Sequence, residues 1–389
     1  MSHLHFQVWY RIHRWTSLVC TLSLLLLCVT GAPLILKDEI GVWSGTTVEP
    51  PALPGVTTRA SIDAMVDDAR RRRPGDVVRY VSQSDDSPAW FVSLGTRADS
   101  NDATAVYKYD ARTGLLIHDI EQRSGAMYLI RKLHVDLFAG LPGTLFIGAM
   151  GFMFVVSVVS GIVVYGVFMR RLPFGTVRRD RAPRLKWLDL HNLAGIATAA
   201  WLCVVGLTGT INTLAIPLLG HWQSTELAAM TAPWRGQPPV AAPPRGAQQA
   251  LDTAMRAVPG MQVAFVGYPG SRFSTPHHYM VFLRGDTTLT SRLLQPVMVD
   301  AQTGALSATA RLPWYLTAIL IAQPLHFGDY GGFPLKVLWI LLDLVAIAVL
   351  VSGLCLWWKR RDAVRARIDA LRLQAAPSAV TTHEATADD

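Results

Sequence analysis

The sequence predicts a membrane protein: a four-transmembrane-helix bundle built from a tandem repeat, with two small α+β domains outside the bilayer. Three observations predict it. Four stretches are long, apolar and almost free of charge; landmarks of the first half return in the second at a slowly growing spacing; and the segments joining the spans of each half are too long for plain loops.

The spans come first. Of the 389 residues 51% are apolar and 16% charged, and the mean hydropathy is +0.28, a membrane-protein composition. Uncharged runs cover 15–36, 141–169 and 193–220, and a fourth, 337–358, is broken only by Asp343. Each exceeds the ~20 residues that a helix needs to cross ~30 Å of hydrocarbon. Arg11 and Arg14 precede the first span. Arg170, Arg171, Arg178, Arg179, Arg181, Arg184 and Lys186 crowd the loop between the second and third against the acid Asp180, and Lys359, Arg360 and Arg361 follow the fourth. The positive-inside tendency puts all three groups, and both termini, in the cytoplasm. Topology thus accounts for the net charge of +8 without nucleic acid. The first apolar run is longer than a signal-peptide h-region and Gly31-Ala32-Pro33 is a poor cleavage site, so it reads as a retained anchor. Cys20, Cys28, Cys203 and Cys355 all fall within spans, which leaves the exported segments without disulfides.

The repeat is read from landmarks. His13 and Thr30-Gly31 return 178 residues later as His191 and Thr208-Gly209, and Pro74-Gly75 returns after 185 as Pro259-Gly260. Asp110-Ala111-Arg112-Thr113-Gly114 returns after 190 as Asp300-Ala301-Gln302-Thr303-Gly304; His134, Pro142 and Ser160-Gly161 return after 192 as His326, Pro334 and Ser352-Gly353. A spacing that only grows marks duplication with insertions. Both halves start inside, so they are parallel repeats about an axis along the membrane normal.

Each external segment begins with a helix pattern, starting at the N-cap Ser61 in the first copy and covering 250–258 in the second, that stops at Pro-Gly. Short alternating strands follow at 77–81, 90–94 and 106–109, and again at 262–266, 279–283 and 297–299, with a D-x-x-T-G turn closing each set. The resulting division is 1–36 for the N-terminus and first span, 37–126 for the first external domain, 127–169 for an interfacial segment and the second span, and 170–187 for a cytoplasmic loop. The third span takes 188–220, the second external domain 221–311, an interfacial segment and the fourth span 312–358, and a cytoplasmic tail 359–389, polar and predicted to be disordered from 375.

Four histidines, each after an aliphatic residue, stand at span ends: His13, His134, His191 and His326. Iron held by two axial imidazoles changes charge without changing ligands, which suits an electron path and makes haem the leading expectation. Two nitrogens on one iron lie about 4 Å apart, so histidines from opposite faces of a ~30 Å core cannot share it. The topology leaves an inner haem on His13 and His191 and an outer haem on His134 and His326, each taking one ligand from each half, between bundle helices where cofactors commonly sit. With no C-x-x-C-H in the chain, the haem is non-covalent. Small residues near the ligands are Ala194 and Gly195 inside and Gly140, Gly328 and Gly331 outside. His221 is the substitute outer ligand; His277 and His278 are weaker candidates for touching iron or substrate, and His3, His5, His118 and His383 the weakest. Asp343 is an acid inside a span, costly unless paired or protonated. Trp201, Phe152, Phe154 and Trp339 lie at mid-span between the expected haems.

Paired helix-and-strand domains with the D-x-x-T-G hairpin, threaded between spans that begin or end in L-H or I-H, resemble the PepSY-associated transmembrane (PepSY-TM) family. The resemblance covers nearly the whole chain up to Arg372 and, within that family, is to the FoxB-like siderophore-iron reductases of the Gram-negative inner membrane. It implies PepSY-like periplasmic domains, two b-type haems and a ferric siderophore reduced on the periplasmic side. The expected activity is that of a di-haem transmembrane oxidoreductase, taking single electrons from a quinol or a cytoplasmic donor and releasing ferrous iron. Hard oxygen chelators hold trivalent iron better than the divalent ion, so one electron loosens the complex. The expected substrate rim is Tyr128, Arg131, Lys132, Trp314, Tyr315 and Tyr330. No Gly-rich dinucleotide fingerprint identifies the donor. Two rival readings are an inner-membrane transporter of the siderophore or iron without redox activity, which duplicated halves also build, and a PepSY-type scaffold or regulator. The first lacks broken spans, and the second leaves the repeated histidines without a role.

Overall fold

The structure, a computed structural model, describes residues 3–100, 102–120, 124–168, 173, 175–178, 183–240, 246–288 and 290–375. Arg170, Arg171, Arg179, Asp180 and Arg181 of the basic loop, and the tail after 375 with His383, lie outside the described residues.

The chain opens with the long α1 (His3–Ile35) and a short α2 (Lys37–Trp43). Helix α3 (Ile62–Arg72), whose first turn is capped by the Ser61 hydroxyl accepting from the Asp63 N–H, precedes β1 (Val77–Gln83), β2 (Ala89–Gly95), β3 (Ala105–Asp110) and β4 (Leu116–Asp119). Helices α4 (Gly125–Val135) and α5 (Gly140–Phe168) complete the first half. The second begins with α6 (Pro183–Asn212), then α7 (Ala215–Trp222), which runs through a π turn into the short α8 (Ala228–Met230). After α9 (Ala247–Ala257) come β5 (Gln262–Gly267), β6 (His278–Arg284), β7 (Leu294–Asp300), β8 (Leu306–Thr309), α10 (Trp314–Phe327) and α11 (Gly332–Ala375).

Among the described residues α1, α5, α6 and α11 are long and apolar enough to cross a membrane. Hydroxyls inside them are satisfied within the helix: those of Thr16, Thr30, Ser160, Thr198, Thr208 and Thr210 each donate to the carbonyl one turn back. The third span ends earlier than its composition predicts. The helix breaks at Thr213 and Leu214, and the apolar residues beyond, on α7, pack beneath the sheet instead of continuing the span.

The eight strands among the described residues form one antiparallel sheet, ordered β4-β3-β2-β1-β5-β6-β7-β8. The sequence predicts two separate domains; the structure joins them. Strands β1 and β5 pair edge to edge, Tyr80 with Gly267, Val81 with Val266 and Ser82 with Phe265, which closes two edges that would otherwise be open. On one face α3 and α9 press Ile62, Met65, Ala69, Ala250, Leu251 and Ala254 against Val81, Val92, Val266 and Val281. On the other face Met280, Phe282 and Met298 meet Trp222, Leu316 and Ile319. Alternation therefore sends successive residues of β6 into two different cores, and the whole strand is buried. The second core bears on the site, because Leu316 and Ile319 belong to α10, the helix that carries His326.

Candidate functional site: two facing histidine pairs

Helices α1 and α6 bring His13 to His191, and α4 and α10 bring His134 to His326. In both pairs the ring centroids are 6.4 Å apart and the planes are inclined at 58°. An imidazole nitrogen lies about 1.1 Å from its ring centroid and binds a transition metal at about 2 Å, so two rings on one iron have centroids about 6 Å apart. The observed separation leaves room for one metal atom between each pair of rings.

The second nitrogen of every ring is occupied. His13 Nδ1 bonds the Ser157 carbonyl at 2.9 Å, His191 Nδ1 the Val349 carbonyl at 3.1 Å and Ser352 Oγ at 2.9 Å, and His326 Nδ1 the Val205 carbonyl at 3.0 Å and Thr208 Oγ1 at 3.3 Å. His134 Nδ1 bonds the Leu27 carbonyl and, at 2.9 Å, Thr30 Oγ1. A carbonyl can only accept, so Nδ1 carries the hydrogen and Nε2 is left with a lone pair to offer a metal.

A glycine lies against each ring. A Cβ added at Gly161 would stand 3.0 Å from His13 Cε1, at Gly353 3.5 Å from His191 Cε1, at Gly31 3.2 Å from His134 Cε1 and at Gly209 2.9 Å from His326 Cε1. Carbonyl, hydroxyl residue and glycine belong to one five-residue turn used four times: 27–31, 157–161, 205–209 and 349–353. Sequence reasoning found Thr30-Gly31, Ser160-Gly161 and their partners only as landmarks of the repeat. The signal available was that they recur in step with the histidines. Its meaning needed the packing of α1 on α5 and of α6 on α11 and α10. Of the small residues expected near the ligands, Gly195 lines the cavity around His13 and His191, whereas Gly328 ends α10 in the left-handed conformation with Trp339 against it and Gly331 abuts Leu335.

A cavity of about 450 Å³ surrounds His13 and His191, within the range of cofactor sites, and its largely apolar wall includes Arg14 and Arg184. Among the described residues no three or more His, Cys, Asp or Glu side chains are grouped to hold a bare metal ion. Two imidazoles alone leave a coordination sphere incomplete, and a porphyrin would supply the missing donors. Ring separation, free Nε2 atoms and glycine cradles fit haem at both pairs.

The other predicted residues lie apart from the pairs. The His221 ring lies 5.8 Å from that of Tyr315, tilted at 55°, and the Tyr315 hydroxyl donates to Glu226 at 3.1 Å. His278 is fully buried in the sheet, with Thr275 Oγ1 2.7 Å from Nδ1 and the Trp234 ring 4.4 Å away; burial holds its pKa down at about 4, so it stays neutral, and His277 is buried beside it. Of the expected rim, Lys132 pairs with Asp136, Arg131 lies over the Tyr128 ring, Tyr315 is engaged by Glu226, Tyr330 sits in the turn before α11 and Trp314 is exposed. Trp201 and Trp339 meet edge to face at 6.3 Å.

Fold and site define the class: a multi-pass membrane protein with an antiparallel sheet domain at one end of its bundle and a facing pair of histidines at each end. The chain matches the PepSY-associated TM region family across residues 10–360 and belongs to it. It is similar to an uncharacterized protein of Pseudomonas aeruginosa, PA4219, with 29% identity over 269 residues that cover 64% of this chain and 67% of that one.

Proposed function

We propose that this protein is a di-haem oxidoreductase of the bacterial inner membrane, a tandem repeat that passes single electrons from the cytoplasmic side or the membrane to a ferric siderophore in the periplasm. The observation that carries the reading is the 6.4 Å separation found twice, each pair joining a ring from each half with Nε2 free. Non-covalent haem of the b type at each pair would supply one-electron chemistry at constant ligation.

The residues of the chain do the rest. Each Nδ1–H donated to a carbonyl fixes the ring's orientation and raises the basicity of its Nε2. The glycines let the rings lie directly on helix backbone, so the position of each ring is set by helix packing rather than by a mobile side chain. Arg14 and Arg184 offer cations to the carboxylates of an inner haem. The basic flanks of the spans keep His13 and His191 on the cytoplasmic side, where a quinol or soluble flavoprotein delivers electrons, and leave the sheet in the periplasm. There Arg131, on the helix of His134, and Trp314, at the head of the helix of His326, form the rim that meets the chelate. Reduction weakens the hold of hard oxygen donors and releases ferrous iron.

The test is a visible spectrum of the purified protein, followed by reconstitution in vesicles with a ferric chelate on the sheet side. Reducible low-spin haem at two per chain, and iron reduction that depends on a reductant on the other side, are expected. A colourless protein overturns the reading.

A further inference from the structure

We propose that Asp343 is the proton acceptor of the bundle: it takes up a proton when an electron reaches the outer histidine pair and gives it back when the electron leaves. The proposal rests on the di-haem reading.

Asp343 lies midway along the apolar span Asp329–Lys359, is only 7% exposed, and its Oδ2 has no partner among the described residues. Its hydrogen-bond partner is the thiol of Cys28 on α1, a weak donor. A carboxylate held in this way inside a membrane span is costly unless something balances its charge. The elements packed on α11 are α1, α6, the turn Asp329–Gly331 and the end of α10, whose Leu325 carbonyl accepts from Trp339 Nε1 and whose titratable group there is His326 of the outer pair. Between Trp15 and Leu36, α1 has no charged residue, and its titratable groups there are Cys20 and Cys28; between Leu193 and Asn212, α6 offers only Cys203. The nearest cation on α11 itself, Lys336, is two turns outward and bound to Glu39, and Asp329 lies beyond it. Among the described residues no cation of the chain balances Asp343.

The neighbouring charge that changes is at the outer pair, where an oxidised haem would be cationic and balance the carboxylate and a reduced one would not. Cys28 follows Leu27, whose carbonyl receives the Nδ1–H of His134, so Asp343 reaches that ring through one thiol and one peptide group. A second orphan stands at the same depth: Trp201 is ten residues beyond His191, Asp343 ten residues from the Gly353 that cradles His191, and the Trp201 Nε1–H has no partner among the described residues either. Ten helical residues are about 15 Å, which puts both near the middle of the bilayer. An electron arriving at the outer pair adds one negative charge to a low-dielectric interior, where charge is strongly felt. The Asp343 carboxylate then combines with one proton from the aqueous phase to give the carboxylic acid, and the reverse occurs on reoxidation. No bond to iron forms or breaks, and the Cys28 thiol is not oxidised.

The test is the reduced-minus-oxidised infrared spectrum of the full-length protein under electrochemical control, in water and in deuterium oxide. A protonated-carboxyl C=O band is expected to appear on reduction, move in deuterium oxide, vanish in Asp343→Asn and return in Asp343→Glu. Cys28→Ala, which removes the hydrogen-bond partner, is expected to shift it. The outer midpoint potential is expected to depend on pH in the wild type and to lose that dependence in Asp343→Asn. A haem-loaded protein with no such band, or with a band indifferent to Asp343→Asn, overturns the proposal and leaves the di-haem reading standing; a protein without haem removes that reading first. Should Asp343→Asn fail to fold, Cys28→Ala decides, and an unshifted band overturns the proposal.

Discussion

On the di-haem proposal, replacing Gly209 by valine is expected to expel the outer haem and spare the inner one. A Cβ at this position would stand 2.9 Å from His326 Cε1 and 3.4 Å from Nδ1. Carbon atoms rest at about 3.5–4.0 Å, so the ring must retreat by about 0.6–1 Å for the Cβ alone, and further for the two methyls. The ring is held by its 3.0 Å bond to the Val205 carbonyl, which such a retreat stretches past ~3.5 Å, where it no longer counts as a hydrogen bond. Loss of this kind of support costs about 10–100-fold in metal affinity, roughly 1.4–2.8 kcal/mol. The displaced Nε2 adds to that. The assay is haem per chain by pyridine haemochromogen, paired with a redox titration. The variant is expected to hold one haem against the two expected of the wild type, with the surviving midpoint potential unchanged. Two haems at wild-type potentials in Gly209→Val would refute the cradle argument.

Other predictions follow from the same geometry. Gly353→Ala, where the Cβ would be 3.5 Å from the ring, is expected to keep both haems, whereas Gly161→Val, at 3.0 Å, is expected to lose the inner one; haem counts decide. His278 titrates at about 4 in the fold because burial disfavours its charge, so between that value and the ordinary ~6.5 the unfolded chain binds the extra proton. Stability of the sheet is therefore expected to fall as pH drops from 6.5 towards 4, by at most about 3 kcal/mol, and His278→Gln is expected to remove that slope in denaturation followed by the fluorescence of the adjacent Trp234. Asp85, on the hairpin between β1 and β2, binds Arg284 and Arg292 of the second half. Asp85→Ala strands the largely buried Arg284 and is expected to cost about 1–2 kcal/mol in chemical denaturation, the exposure of Asp85 keeping the figure below that of a fully buried pair.

The spans and the helix starts were legible because each is written locally. Uncharged runs mark α1, α5 and α11, and Ser61 before an amphipathic stretch marks α3. That His13 would face His191, and His134 face His326, followed from which end of a span each occupies. The pairing of β1 with β5 was not legible, since it joins residues such as Val81 and Val266 far apart in the chain, and neither strand's own pattern says which edge will be covered. The apolar run to Gly220 hid the break before α7, because a helix under a sheet and a helix in lipid share a composition. The four glycine cradles were visible as letters but not as contacts: only the packing of one helix on another shows that Gly161 meets His13 rather than another helix.

The most direct test of the account is haem content across histidine substitutions made singly and in pairs. His13→Ala and His191→Ala are each expected to leave one haem per chain, and the variant with both still one, because the two rings grip the same iron. His13→Ala combined with His326→Ala is expected to leave none. If His13→Ala and His191→Ala together removed both haems, or if either single change removed none, the claim that facing rings from the two halves share one haem at each end of the bundle would be contradicted.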